Sequence, residues 1–376
     1  MSSFFSKDCN GQEENKLQSL QVQCAPPYSV LIGNNIISEM SKYFDFEKYS
    51  GGCIVCDAAV DKMHGDRIRE VMPLGFRFIS FPGGEKAKSL ETLSFLWGEF
   101  LKGGLDRRGV VVTFGGGAML DVAGFASSTY MRGVSFVHVP TTVLSQVDAS
   151  IGGKTGLNIH GVKNLVGAFQ QPSGVCVDVA FIPTLSDREI RSGVAEMIKH
   201  GMMFSKEHFE ELRGVSWSRV RQDLSQLSGV IYNSCQIKGK VIAADPNEGG
   251  LRKALNFGHT VGHAIEILSH ELGDPLTHGE AVALGMKAET AMAVEARLCS
   301  QEALDSLVNL IAHVGLPTAW KTVAKCAEIV SRMGQDKKNV GGKILFAVPT
   351  AVGQLAIDRE FSESALSYGL SRILQI

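Results

Sequence analysis

Apolar and polar positions change rhythm about halfway along the chain. In the first half, short apolar runs fall at 28–32, 53–56, 76–80, 110–114, 135–139 and 175–178, with helical spacing between them, as at 89–101. Strands alternating with helices predict a mostly parallel sheet covered on both faces. From about residue 186, helical periodicity dominates, over 187–200, 220–244, 259–269, 279–298 and 301–314. Only 343–348 and 353–358, joined by a Pro-containing turn, look like strands. The expected architecture is α/β. An N-terminal Rossmann-like parallel-sheet domain spans residues 26–186, and a mainly α-helical domain spans 187–376. The active site would lie in the cleft between them. Residues 1–25 are polar, lack the apolar core of a secretory signal and are expected to form a disordered extension.

Composition narrows the class. A chain of 376 residues, 44% hydrophobic, can fill two cores. A net charge of −2 without any Lys/Arg-rich run gives no electrostatic case for nucleic acid or membrane partners. No apolar stretch reaches bilayer length. The eight cysteines are scattered, which predicts free thiols and a reducing, cytoplasmic location. Cys53 and Cys56 form a CxxC inside an apolar run. With no second CxxC to complete a four-thiolate site, they read as small core residues.

Four segments carry candidate chemistry. Gly115, Gly116 and Gly117 follow the strand VVVTF and open a helix through Asp121, which suits a phosphate cradle: the backbone can approach closely and a helix N-terminus faces the anion. The turn is neither GxGxxG nor a P-loop, and a purely structural turn would look the same. In PGGEKAK, after another strand, Glu85 could bind ribose hydroxyls and Lys88 a phosphate; a solvated loop is the alternative. Residues 140–164 (PTTVLSQVDASIGGKTGLNIHGVKN) hold Thr141, Thr142, Asp148, Lys154, Lys163 and Asn164 between apolar residues, so the segment is read as ordered and functional. Its lysines, with Arg132 upstream, suit a substrate bearing both phosphate and carboxylate. Finally, His259 and His263 stand at i and i+4, with Thr260 where a zinc protease needs its glutamate. His278 follows, and Glu196 and Lys199 lie one turn apart on an earlier helix. Two imidazoles and a carboxylate would leave a zinc ion one open position. Spacing alone leaves open which two histidines ligate.

In order, PGGEKAK, GGGAMLD, GFASSTYMRG, PTTVLSQVDASIGGKTG, KNLVGAFQQP, AEMIKHG, EGGLRKALNFGHTVGHA, HGEAVALGM and DKK closely resemble the 3-dehydroquinate synthase family, within the sugar phosphate cyclases, from about residue 28 to 358. The resemblance implies Zn²⁺, with Co²⁺ as a substitute, on Glu196, His259 and His278, leaving His263 for proton transfer or hydrogen bonding to substrate. It implies NAD against Asp57, Gly83, Glu85, Lys88, Gly116, Gly117, Asp121, Thr141, Thr142, Leu144, Asp148, Lys154, Lys163, Phe181, Thr184 and Leu185. Substrate would meet Arg132, Lys154, Asn164, Lys199, Lys238, Arg252, Asn256 and one or both of Lys337 and Lys338. Two departures stand out. Ala59 occupies a place where the family often has Asn, and the loop between His259 and His278 looks slightly longer and carries His270.

The same resemblance implies conversion of 3-deoxy-D-arabino-heptulosonate 7-phosphate to 3-dehydroquinate and phosphate, a carbon–oxygen lyase step of the shikimate pathway in aromatic amino acid biosynthesis, by a cytoplasmic homodimer. A sibling cyclase making 2-deoxy-scyllo-inosose or an epi-valiolone shares the cofactor motifs, but Arg252, Asn256, His263 and the DKK lysines favour the dehydroquinate type. A metal-dependent polyol dehydrogenase would release NADH, which the cyclases do not. A non-catalytic binding protein would not need intact Glu, His and Lys positions.

Overall fold

The computed structural model describes residues 17–334 and 343–375. Its strands are β1 (Gln18–Val22), β2 (Tyr28–Gly33), β3 (Gly52–Asp57), β4 (Arg77–Phe81), β5 (Val110–Gly115), β6 (Ser135–Pro140), β7 (Lys154–Ile159), β8 (Val162–Phe169) and β9 (Gly174–Asp178). Seven of them form one sheet in the order β1-β2-β9-β6-β5-β3-β4. Every pairing is parallel except that of the edge strand β1 with β2. β5 is buried along its whole length, which is why it reads as a continuous apolar run rather than an alternation. Helices α1 (Met40–Tyr43), α2 (Ala58–Arg69), α3 (Leu90–Lys102) and α4 (Gly117–Thr129) connect and cover the strands. Ser89 caps α3 by accepting the Thr92 N–H.

β1 corrects the expectation for the N-terminus. Within residues 1–25, Gln18–Val22 is a strand, because Leu20 and Val22 alternate inward against the later helix that carries Gly239 while Ser19 and Gln21 face out. Residues 1–16 lie outside the described residues. Cys53 and Cys56 are buried thiols in β3, and burial pushes Cys53 up to about 11.

After β9 the chain is mainly helical, with α5 (Asp187–Phe204), α6 (Lys206–Gly214), α7 (Leu224–Ala244), α8 (His259–Glu271), α9 (His278–Glu295), α10 (Gln301–Val314), α11 (Cys326–Gly334) and α12 (Glu363–Ser371). Two short strand pairs complete it: β10 (Trp320–Lys321) with β13 (Leu374–Gln375), and β11 (Phe346–Ala351) with β12 (Gln354–Arg359). Ser186–Glu189 and Thr277–Glu280 form capping boxes that set where α5 and α9 begin. Glycines bring the site helices close. A Cβ on Gly279 would stand 2.1 Å from the Ser192 carbonyl oxygen of α5, and one on Gly285 2.0 Å from the Gly258 carbonyl oxygen. Among the described residues no helix is long and apolar enough to cross a membrane.

Candidate active site

The sheet reverses its winding between β3 and β5, and the loops leaving their carboxyl ends face each other there, where open parallel sheets bind ligands. Asp57 ends β3 and caps α2 by accepting the Ala59 N–H at 2.9 Å. Gly83 and Gly115 press against it: a Cβ on Gly83 would fall 1.9 Å from Asp57 Oδ2, and one on Gly115 3.5 Å from Asp57 Cβ. α4 starts at Gly116 with no side-chain cap, unlike α3, α5 and α9, so its first N–H groups are left for an anion. A Cβ on Gly116 would come within 3.3 Å of Thr142, so the cradle is lined by the turn after β6. That turn, with Thr141, Leu144 and Asp148, is ordered by the Thr142–Ser145 hydroxyl pair at 2.9 Å.

Lys88 is buried and donates to Asp121 at 2.6 Å and to Asn164. Burial raises the Asp121 carboxyl, and Lys88 offsets this only in part. Asn158 donates to Glu85 at 2.8 Å, so the β7–β8 hairpin is tied over the Glu85–Lys88 loop. Phe181 lies in the core, with the His64 ring 5.0 Å away, and Thr184 meets His64 Nε2 at 3.1 Å. Leu185 gives its carbonyl to Arg221 at 2.5 Å.

The second half of the site is built from α5, α8 and α9. Glu196, fully buried on α5, sends Oε1 to 3.5 Å from His259 Nε2 and 3.3 Å from His278 Nε2. One donor atom from each of these residues lies within 4.8 Å of the others. His259 Nδ1 sits 3.0 Å from the Phe257 carbonyl, which makes Nδ1 the donor and leaves Nε2 a lone pair. This donor set fits a tetrahedral divalent ion with one open position. Electrostatics agree. Burial opposes ionisation of Glu196, but Lys199 and His259 outweigh it and hold the carboxyl well below its usual range. Burial, aided by Lys199, holds His259 well below the ordinary imidazole value. His278 behaves differently: burial disfavours its proton, yet Glu196 and Glu266 raise it to about 9. His263 is a neighbour rather than a member of the group, its ring 5.3 Å from that of His259.

Two lysines stand beside the group. Lys199 pairs with Glu196, and Lys238 with Asp148 at 2.5 Å. Lys238 and Lys199 hold Asp148 far below its usual range despite its burial. Asp148, Glu196 and His200 also converge, but both carboxylates already face lysines, and burial pushes His200 down to about 3. Lys154 meets Glu248 at 2.5 Å, and Asn256 meets the other oxygen of Glu248 at 2.8 Å. Arg252, buried, donates to the Gly152 carbonyl at 2.9 Å. Asp245 shapes this loop by accepting the N–H groups of Gly249, Gly250 and Arg252.

The structure does not draw Arg132 into this cluster. It sits on an exposed turn past the far end of α4, a helix of 13 residues and therefore about 20 Å along its axis from the glycine turn. Lys337 and Lys338 lie outside the described residues. Sequence reasoning missed Glu248, Glu266 and Asp245. Of these only Glu266 had a usable signal, since it falls seven residues after His259 and three after His263, on the same helix face.

Two family models match contiguous stretches, 3-dehydroquinate synthase N-terminal over residues 78–192 and 3-dehydroquinate synthase C-terminal over residues 193–339. A 3-dehydroquinate synthase from Desulforamulus reducens is 38% identical over 350 residues, covering 92% of this chain and 97% of its own. The chain belongs to the 3-dehydroquinate synthase family. Another such synthase, from Synechococcus sp., is 37% identical over 367 residues, covering 94% of this chain and 99% of its own. Among solved structures, ValA, a 2-epi-5-epi-valiolone synthase from Streptomyces hygroscopicus subsp. jinggangensis with NAD⁺ and Zn²⁺ bound, superposes with a TM-score of 0.82 at 25% identity, covering 92% of this chain and 96% of that one.

Proposed function

We propose that this chain is a 3-dehydroquinate synthase, a carbon–oxygen lyase acting on 3-deoxy-D-arabino-heptulosonate 7-phosphate with NAD and a divalent ion, Zn²⁺ or Co²⁺. The observation that carries the reading is the convergence of Glu196, His259 and His278 on one point, with Lys199 against Glu196 and Lys238 against the neighbouring Asp148. Bound metal and NAD⁺ together supply Lewis acidity and a hydride acceptor for a secondary alcohol of the substrate. The chain's own residues do the rest. The cations neutralise phosphate and carboxylate and fold the seven-carbon chain for closure. Lys154 and Asn256 exchange Glu248 for the anionic substrate, and Lys199 keeps Glu196 ionised for the metal. His263 stands one helical turn from His259, placed to carry a proton at the reacting end.

The dinucleotide is assigned to Asp57, Gly83, Glu85, Lys88, the Gly116–Gly117 cradle, Asp121 and the 141–148 turn, with Lys163, Thr184 and Leu185 around it, while the Phe181 ring stays in the core. The curated relatives favour the dehydroquinate reaction over that of the sibling cyclases. A homodimer is supported by β8, on which Val162, Leu165, Val166 and Phe169 are between 41% and 54% exposed. Light scattering at twice the chain mass would bear this out. A reducing cytoplasm is supported by free thiols at every described cysteine.

The test of function is to incubate the protein with the heptulosonate phosphate, NAD⁺ and Zn²⁺. Phosphate release matched by carbocycle formation, with no lasting rise in absorbance at 340 nm, is the expected outcome. Accumulating NADH without a carbocycle would mean a dehydrogenase instead.

A further inference from the structure

His278 is the most exposed member of the metal group, its side chain 27% accessible, against 11% for His259 and none for Glu196. A ligand so placed needs something behind it to fix its ring. For His259 that is the Phe257 carbonyl. For His278 it is a carboxylate: Glu266 Oε2 lies 3.6 Å from Nδ1, while Nε2 faces Glu196. Glu266 comes from α8, two turns beyond His259, so the helix that supplies one imidazole also supplies the support of the other. Its other oxygen accepts from Lys163 of β8 at 2.7 Å. Glu266 is buried, so it carries a desolvation cost that only such partners offset.

We infer that Glu266 is a positioning residue for the metal centre: facing Nδ1 of His278, it holds the proton on that nitrogen and so favours the tautomer in which Nε2 is the ligand. Lys163 keeps the carboxylate from turning away. Carboxylates behind histidine ligands typically change metal affinity by about 10–100-fold. This inference rests on the metal reading of Glu196, His259 and His278.

The experiment loads metal-free protein with Co²⁺ and measures the dissociation constant by chelator competition, together with the visible absorption of the bound ion, for wild type, Glu266→Gln, Glu266→Asp and Glu196→Ala. Glu266→Gln keeps the shape and removes the charge. It should weaken Co²⁺ by about 10–100-fold and shift the visible band, while Glu266→Asp falls in between. A Glu266→Gln protein with affinity within about twofold of wild type and an unchanged spectrum overturns the inference. If that variant does not fold, Glu266→Asp alone decides by the same criteria. Glu196→Ala separates the two claims. If it binds Co²⁺ as well as wild type does, the metal reading itself fails. If it loses the ion while Glu266→Gln keeps it, only the role of Glu266 fails.

Discussion

Metal uptake by this protein should release a proton, and the structure says from where. In the metal-free site Glu196 is ionised and His259 is neutral, while His278 is raised to about 9 by the carboxylates on its two ring nitrogens. A cation needs the Nε2 lone pair of His278, so it must displace that proton. With a value of about 9, the ring is almost wholly protonated at pH 7.5, and binding there should release about one proton per ion. The competition costs about 2 kcal/mol at pH 7.5, at about 1.4 kcal/mol per pH unit. Apparent affinity should therefore rise about 15-fold between pH 7.5 and 9 and level off above. The linkage to folding has the matching sign. Because the folded value lies above the ordinary 6.5, protonated His278 stabilises the metal-free fold fully below about pH 6.5, and that contribution is lost as pH rises through about 9. Calorimetric titration in buffers of different ionisation enthalpy measures proton release directly. Release well below half a proton, or an affinity flat between pH 7.5 and 9, would mean that His278 carries no proton in the metal-free site.

Other variants probe separate parts of the site. Glu196→Ala and His259→Ala should each abolish metal retention and turnover while the fold persists by circular dichroism; full turnover without metal would refute the ligand assignment. Lys154→Ala should weaken substrate binding or turnover far more than NAD binding, measured by fluorescence titration of each, and equal effects would argue against its assignment to substrate. Gly285→Ala should lower stability by about 1–3 kcal/mol in urea unfolding, because its Cβ would meet the Gly258 carbonyl oxygen that α8 starts from; a neutral change would mean that α8 and α9 can part.

Much of the sheet could be read from the chain because its strands are buried on both faces and so appear as bare apolar runs. Helix α10 (Gln301–Val314) has the bounds its periodicity predicts, fixed by the Ser300 cap and the left-handed Gly315. α7 starts later than its apolar pattern, since Asp223 caps it at the Gln226 N–H. The β7–β8 hairpin escaped notice because β8 is largely exposed and mixes Lys163, Asn164 and Gly167 with its apolar residues, so no alternation marks it. β1 escaped because glutamines surround its two inward residues. In the site, types and order were legible, whereas partnerships were not. Glu248 faces Lys154 across 94 positions of sequence, and Glu266 faces Lys163 across 103. Only folding brings such pairs together, and a lone glutamate in a sequence carries no sign of which lysine it meets.

The most direct test is a crystal of the protein grown with NAD⁺ and Zn²⁺ and measured at the zinc absorption edge. A single anomalous peak should appear about 2.0–2.2 Å from Glu196, His259 Nε2 and His278 Nε2, facing the dinucleotide on the Gly116–Gly117 turn. A peak held by His263 in place of His278, or one remote from Glu196, would contradict the account.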